Sequence, residues 1–159
     1  MKTLMLLAYL GLALGLSTLP PSSALANENV SAQVPVLLYV SRTDCHFCYN
    51  FEEEILKPLI RSREYSDSLI IRNLVLDSPD PVKNFAGKLV PPKELALSYD
   101  IKVTPTLLFL DTKGRELIPR IVGYQRSEFY FYYFEEAIHN ATTALHTPSF
   151  YLDDGTRTD

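Results

Sequence analysis

The chain has 159 residues, of which 47% are hydrophobic and 21% are charged, and its net charge is −4. This length suits one domain, and this balance excludes a chain that is disordered throughout. The acidic net charge offers no basic field for nucleic acid or anionic lipid, so neither is expected as a partner. Two cysteines are too few for a disulfide framework, so an apolar core must hold the domain together.

The first 26 residues have the pattern of a secretory signal peptide. A basic start at Lys2 precedes an uncharged apolar run, and Ala24-Leu25-Ala26 is a small-x-small pattern of the kind that signal peptidase accepts. The run is shorter than the roughly 20 residues that a membrane-spanning helix needs. We therefore expect cleavage after Ala26, no stable membrane insertion afterwards, and a location in the periplasm or outside the cell. In an oxidising compartment a lone cysteine pair is either a structural bridge or a redox couple.

A buried strand is predicted to lead into a helix that carries both cysteines. The nearly continuous apolar run Val34–Ser41 is typical of a strand that is buried on both faces. After a turn at 42–44, the helix is expected to begin around Cys45 and to continue to about Glu64. Pro58 cannot donate a helical hydrogen bond, so a kink or break is expected there. The stripe that faces the core consists of Cys48, Phe51, Ile55 and Leu59, and the adjacent Glu52, Glu53 and Glu54 are expected to be solvated.

The middle of the chain predicts a second strand, a long loop and a short helix. Ser68–Asp77 is apolar and β-branched, which indicates a strand. Ser78–Pro92 is rich in proline and reads as an irregular surface loop. Lys93–Tyr99 follows as a short helix, with a proline near its first turn.

The C-terminal third predicts a strand hairpin and a last helix. Thr106–Asp111 and Glu116–Val122 are the two strands, and Pro119 places the second strand on an edge or at a bulge. Arg126–Asn140 is the helix. One expected packing stripe on it is Phe129, Tyr133 and Ala137, with Tyr130, Phe134 and Ile138 beside it. The chain is thus divided into a signal peptide (1–26), a domain (27–140) and a flexible C-terminal tail (141–159).

The two cysteines form a C-x-x-C motif, Cys45-His46-Phe47-Cys48, between the first strand and its helix. The positive end of the helix would stabilise a thiolate on Cys45, and Cys48, one turn later, is close enough to form a disulfide with it. A protonated His46 would strengthen this effect, whereas the negative charge of Asp44 would oppose it. His46 is equally well explained as a solvated residue at a helix start. Together with Phe47, these two residues are candidates for tuning the couple.

The chain resembles the thioredoxin superfamily, in particular small secreted thioredoxin-like proteins of the bacterial cell envelope. The matching segments are VLLYVSRTDCHFC, NLVLD, YDIKVTPTLLFLDTKGREL and VGY. The resemblance implies an α/β fold, with a central mixed four-stranded sheet flanked by helices. It also implies thiol–disulfide exchange, in which Cys45 attacks and Cys48 resolves the mixed disulfide.

The resemblance gives a role to Thr104 and Pro105, which precede the third strand. In the family this proline is cis and its loop packs against the two sulfurs, and an X-Pro bond lowers the cost of the cis form to about 0.5–1 kcal/mol. The bend would expose the backbone of Thr104 to an extended substrate segment. By base rate alone, the alternative is an ordinary trans proline at the start of a strand.

Three positions depart from thioredoxin itself. Tyr39 stands where the family has a buried Asp, Asn73 where it has a strand Lys, and Asp44 where a Trp precedes the first cysteine. These differences make a general cytosolic reductase less expected. The residue before the proline, Thr104, is more similar to secreted isomerases and reductases.

Three functions are consistent with these residues. The first is an envelope oxidoreductase that acts on protein thiols or disulfides, with the reductase direction favoured. It would use no cofactor or metal besides the Cys45–Cys48 disulfide, and a membrane electron donor of the DsbD type would keep it reduced. The second is copper or zinc handling through Cys45, Cys48 and a histidine, with His139 and His146 the later candidates. The third is a structural disulfide, although so short a loop stabilises weakly.

Overall fold

The computed structural model describes residues 33–125 and 128–147, which form a mixed four-stranded sheet flanked by helices. The central strand β1 (Val36–Ser41) pairs in parallel with β2 (Ile70–Val75) and antiparallel with β5 (Thr106–Leu110). Strand β6 (Ile121–Val122) pairs antiparallel with β5, so the order is β2-β1-β5-β6. The predicted fold class is confirmed. The predicted signal peptide and residues 148–159 of the predicted tail lie outside the described residues.

Two apolar cores lie on the two faces of the sheet, and β1 and β5 contribute to both. Every residue of these two strands is buried, as the uninterrupted apolar run of β1 predicts. Because successive side chains of a strand point to opposite faces, alternate residues join different cores. Leu37, Tyr39, Leu107 and Phe109 pack with the cysteine-bearing helix and the last helix, whereas Val36, Leu38, Leu108 and Leu110 pack with the middle of the chain.

The helix that follows β1 changes its hydrogen-bond pattern before Pro58. It consists of α1 (His46–Phe51), a π-helical segment (Glu52–Leu56) and α2 (Lys57–Ser62). The proline ring would clash with a carbonyl one turn earlier, and a wider turn before the ring accommodates it. The expected kink therefore takes the form of a π segment, and the helix ends at Ser62. The predicted stripe of Cys48, Phe51, Ile55 and Leu59 is buried, as expected.

The segment between β2 and the third helix is more regular than predicted. Residues 78–91 contain a small antiparallel pair of strands, β3 (Val82–Lys83) and β4 (Leu89–Val90), followed by α3 (Pro92–Ser98). The Asn84 side chain closes the hairpin by accepting hydrogen bonds from the backbone N–H groups of Ala86 and Lys88. The irregular surface loop was therefore the wrong prediction for this segment.

Most of the predicted fourth strand, Glu116–Val122, does not form a strand. Only Ile121–Val122 forms a strand, and a single bridge joins Glu116 to Leu110. Pro119 lies between these two points and has no N–H to donate, so it interrupts the ladder.

The last helix, α4 (Tyr130–His146), begins four residues later and ends six residues later than predicted. Its continuation is stabilised by Ala141, which is fully buried, so the boundary expected at Asn140 falls inside the helix. The stripe of Phe129 and Tyr133 was wrong, because these residues are 65% and 61% exposed. The other predicted packing residues Phe134, Ala137 and Ile138 are buried as expected, and Ala141 extends this buried face. In the described ranges we find no helix with the length and apolarity to cross a membrane.

Candidate active site

Cys45 and Cys48 are joined in a disulfide at the start of α1, with an S–S distance of 2.00 Å. The Cys48 side chain belongs to the core and is 1% exposed, whereas Cys45 is partly exposed. Their Cα atoms lie 5.2 Å apart, because one helical turn separates them. A thiol or disulfide from another molecule can therefore reach one sulfur of the pair, while the other is shielded.

The N-terminal end of α1 is directed at the Cys45 sulfur. The backbone N–H of Cys48 donates a hydrogen bond to Cys45 Sγ at 3.1 Å, so the side chain of Cys45 caps the helix. When the disulfide is reduced, the same N–H and the positive end of the helix face a sulfur that can carry negative charge. This arrangement favours a thiolate on Cys45.

The loop before β5 lies against the same sulfur. The Thr104 hydroxyl donates to Cys45 Sγ at 3.5 Å, although the two residues are 59 positions apart in the sequence. The Thr104–Pro105 peptide bond is cis, and the buried Pro105 directly precedes β5. The Pro105 carbonyl accepts a hydrogen bond from the N–H of Gly123 at 2.7 Å, which ties the end of β6 to this loop. The structure thus brings Cys45, Cys48, Thr104 and Pro105 together.

The three candidate tuning residues have different surroundings. The carboxylate of Asp44 forms an exposed ion pair with Arg42 at 3.1 Å, and this cation offsets part of its negative charge. The ring Nε2 of His46 lies 3.2 Å from Asn50 Nδ2, also in solvent. Phe47 is 57% exposed and lines a groove beside the disulfide. Their effects on the redox couple remain predictions.

The groove that starts at Phe47 and Thr104 has a volume of about 530 Å³. It runs between the proline loop, β6 and the start of α4, and none of the side chains that line it in residues 33–125 and 128–147 carries a charge. Besides Phe47 and Thr104, the lining residues are Val103, Ile121, Val122, Gly123, Tyr124, Gln125, Tyr130 and Tyr133. We refer to it as the disulfide groove. Its volume and its apolar walls suit a peptide segment better than a small ion.

Two buried tyrosines contact acidic residues of the π segment, a feature that the sequence analysis did not predict. The Tyr39 hydroxyl lies 3.2 Å from the carbonyl oxygen of Cys48 and 3.0 Å from Glu52 Oε1. Burial raises the pKa of Tyr39 and the Glu52 carboxylate raises it further, so the phenol stays protonated as a donor. Tyr124 likewise donates to Glu54 at 2.6 Å. Glu52 and Glu54 are therefore not simply solvated.

A sequence signal for the Tyr39 contact does exist. Glu52 follows Cys48 by four residues, which puts both on one side of the helix. The structure places the Glu52 carboxylate against Tyr39, the strand residue that the resemblance aligns with a buried Asp.

The two later histidines lie on α4, and both are exposed. Within residues 33–125 and 128–147, no group of three or more His, Cys, Asp or Glu side chains is placed to hold a metal ion. No observation on the described residues favours copper or zinc handling.

Comparisons with known proteins agree with this architecture. The family profile described as a thioredoxin-like domain matches residues 24–141. Two solved structures are similar. One is the DsbH oxidoreductase, with 17% identity and a TM-score of 0.53 over 70% of this chain and 74% of that chain. The other is a thioredoxin-fold protein from Helicobacter pylori, with 22% identity and a TM-score of 0.52 over 74% of this chain and 75% of that chain. At these identities the likeness shows the fold alone. A search of curated proteins found no match.

Proposed function

The chain belongs to the thioredoxin-like family of disulfide oxidoreductases, and we propose that it is a periplasmic reductase of disulfides in protein substrates. One observation carries this proposal. The partly exposed sulfur of Cys45 is bonded to the buried Cys48 and faces Thr104 at the mouth of an uncharged groove.

The proposed reaction starts from the reduced pair. The Cys45 thiolate attacks one sulfur of a substrate disulfide, the substrate S–S bond breaks, and the departing substrate thiolate takes up a proton. Cys48 then loses its proton and attacks Cys45 Sγ, which releases the second substrate thiolate. Two electrons pass to the substrate, and the Cys45–Cys48 disulfide is the product form. The helix end and the Thr104 hydroxyl favour the first step, because both stabilise negative charge on Cys45.

The proposed direction and the proposed compartment are supported by the sequence. Thr104 before the proline is similar to secreted isomerases and reductases, and the pattern of residues 1–26 predicts export. A protein that reduces disulfides in an oxidising compartment needs a source of electrons, which we propose is a membrane donor of the DsbD type. No cofactor other than the disulfide is proposed.

Two single cysteine variants test the chemistry. Cys45→Ser is expected to abolish the reduction of insulin disulfides, because it removes the accessible nucleophile. Cys48→Ser is expected to accumulate mixed disulfides with substrates, because nothing resolves them. Far-ultraviolet circular dichroism of both variants is the control for folding, since so short a disulfide loop contributes little stability. Equal trapping by both variants, or wild-type protein without any exchange, would contradict the assignment.

The reduction potential tests the direction. A potential near that of thioredoxin, about −270 mV, supports a reductase, whereas a value near −120 mV would reassign the protein as an oxidant.

The mass of the exported chain tests the compartment, with Asn27 expected as the first residue. Alkylation trapping in cells tests the donor, because removing the membrane donor should shift the pair to its disulfide form.

A further inference from the structure

We propose that Tyr133 determines substrate specificity by forming, along α4, a subsite for an apolar, uncharged segment of the protein substrate. This inference rests on the proposed function, and it names the class of polypeptide that the protein selects. The observation behind it is that the disulfide groove does not end at the start of α4.

A second groove, of about 520 Å³, continues from the disulfide groove between residues 118–121 and α4. The two grooves share Ile121, Tyr130 and Tyr133 in their linings. Of these three, Tyr133 is the most exposed, at 61%. A tyrosine ring offers a large apolar contact area with little loss of conformational freedom, which suits it to a recognition site.

The position of the grooves defines what occupies them. A substrate in a mixed disulfide with Cys45 is held at the end where Thr104 and Phe47 lie, so its flanking residues must leave along the groove. Strand β6 is the last strand in the sheet order of the described residues and pairs with β5, which leaves its other edge open to an extended backbone.

The charge of the grooves favours an apolar occupant. Among the described residues, the disulfide groove has no charged side chain in its lining, and Glu136 is the single charged residue in the lining of the second groove. A charged substrate segment would lose its hydration there, and among the described lining residues only Glu136 could pair with a positive charge, whereas an apolar segment gains from burial. The occupant is therefore an extended, uncharged polypeptide segment with aromatic or aliphatic side chains.

The matched control for Tyr133 is its neighbour. Tyr132 is 64% exposed on the same helix, and its ring contacts that of Tyr133 with 5.7 Å between the centroids. Unlike Tyr133, it is in the lining of neither groove. Tyr132→Ser and Tyr133→Ser thus remove the same aromatic group at nearly the same exposure.

The experiment measures kcat and KM for two synthetic disulfide peptides that differ only in the residues flanking the disulfide. One carries Phe and Leu, the other Ser and Asn. The wild-type protein should prefer the apolar peptide, and Tyr133→Ser should lower that preference by about tenfold through KM, the scale of a lost apolar contact in a specificity pocket. Tyr133→Phe and Tyr132→Ser should keep the preference. The preference is the ratio of kcat/KM for the two peptides within one variant. A loss of folded protein lowers both values equally and leaves this ratio unchanged.

Three outcomes would overturn the inference: equal wild-type rates for the two peptides, an unchanged preference in Tyr133→Ser, or equal losses in the two serine variants. Hydroxyethyl disulfide, a small uncharged substrate, separates this failure from failure of the proposed function. If wild-type protein exchanges with it but does not distinguish the peptides, only the subsite is refuted. If the protein exchanges with none of the three substrates, the proposed function is refuted as well.

Discussion

Replacing Tyr39 by Phe removes one buried hydroxyl and leaves the packing of the ring in place. The ring is fully buried in β1 and packs against Phe51, with 5.1 Å between the ring centroids. The hydroxyl lies within hydrogen-bond distance of the Cys48 carbonyl and the Glu52 carboxylate. The variant therefore isolates the polar link between the strand and the cysteine-bearing helix.

The expected cost follows from the acceptor. A hydrogen bond to a charged group contributes about 1.5–3 kcal/mol, and water can reach the half-buried Glu52 in the variant, so we expect a loss of about 1–2 kcal/mol. For a domain of this size, each kcal/mol lowers the Tm by about 4 °C. Tyr39→Phe should therefore unfold about 4–8 °C below the wild type at pH 7.

The pH dependence has a definite sign. Burial first, and then the charge of Glu52, raise the pKa of Tyr39 above its ordinary value of 10.0. A group whose pKa is raised on folding stabilises the folded state fully below its unfolded pKa, and this contribution is lost as the pH rises toward the folded pKa. Wild-type stability should thus decline above about pH 10, and the decline should be shallower in Tyr39→Phe. It should not vanish, because the pKa of Tyr130 is also raised, mainly by burial.

Urea unfolding of the oxidised protein at pH 7 and above pH 10 measures both effects. A double-mutant cycle with Glu52→Gln should give a coupling energy of about 0.5–1.5 kcal/mol if the two side chains interact. A Tyr39→Phe variant as stable as the wild type, with the same alkaline slope, would refute the reasoning.

Three further predictions concern the stability of the fold. Gly114→Ala should cost about 2–4 kcal/mol in urea unfolding, because Gly114 has φ +84° and a new Cβ would lie 2.7 Å from two aromatic side chains. Gly87→Ala, at φ +79° with open space around it, should cost about 1 kcal/mol, and equal losses would contradict the steric part. Phe51→Ala should lower the free energy of unfolding by about 3–5 kcal/mol, because the Phe51 ring is fully buried among four aromatic rings. The control is Tyr49, which is 61% exposed, and Tyr49→Ala should change the free energy of unfolding by less than about 0.5 kcal/mol. Burial alone raises the pKa of Asp111, but hydrogen bonds from Arg115 and a backbone N–H outweigh it, so the net pKa lies below the ordinary value. The stabilisation from the ionised Asp111 is present above its unfolded pKa and is lost as the pH falls through its lowered folded pKa. Asp111→Asn should therefore be less stable at pH 7, and its stability should decline less steeply than that of the wild type between about pH 4 and 2. Parallel declines of the two proteins would contradict this reading.

The accuracy of the sequence predictions differs between elements for identifiable reasons. The β1 run and the Cys48–Leu59 stripe are regular apolar patterns, and both are buried as expected. Residues 129–134 give no such pattern, because all six are aromatic and every side of the helix looks apolar. Contact of Phe134 with Phe51 and Phe109 selects the buried side, which the helical period alone could not do.

The candidate site was predictable in part. The two cysteines, Thr104 and Pro105 were identified from the motif and the resemblance. The Tyr39–Glu52 contact and the second groove were not, because each depends on how two elements pack against each other.

The sequence by itself determined that a buried strand leads into a helix that begins at a C-x-x-C motif, because apolar periodicity and turn residues act over a few neighbouring positions. The tertiary structure decided which cysteine is reachable, that Thr104 meets Cys45, and that a largely apolar groove extends from beside that sulfur along α4. These features are set by packing between elements up to about a hundred residues apart, and local patterns carry no information on the angle or depth at which such elements meet.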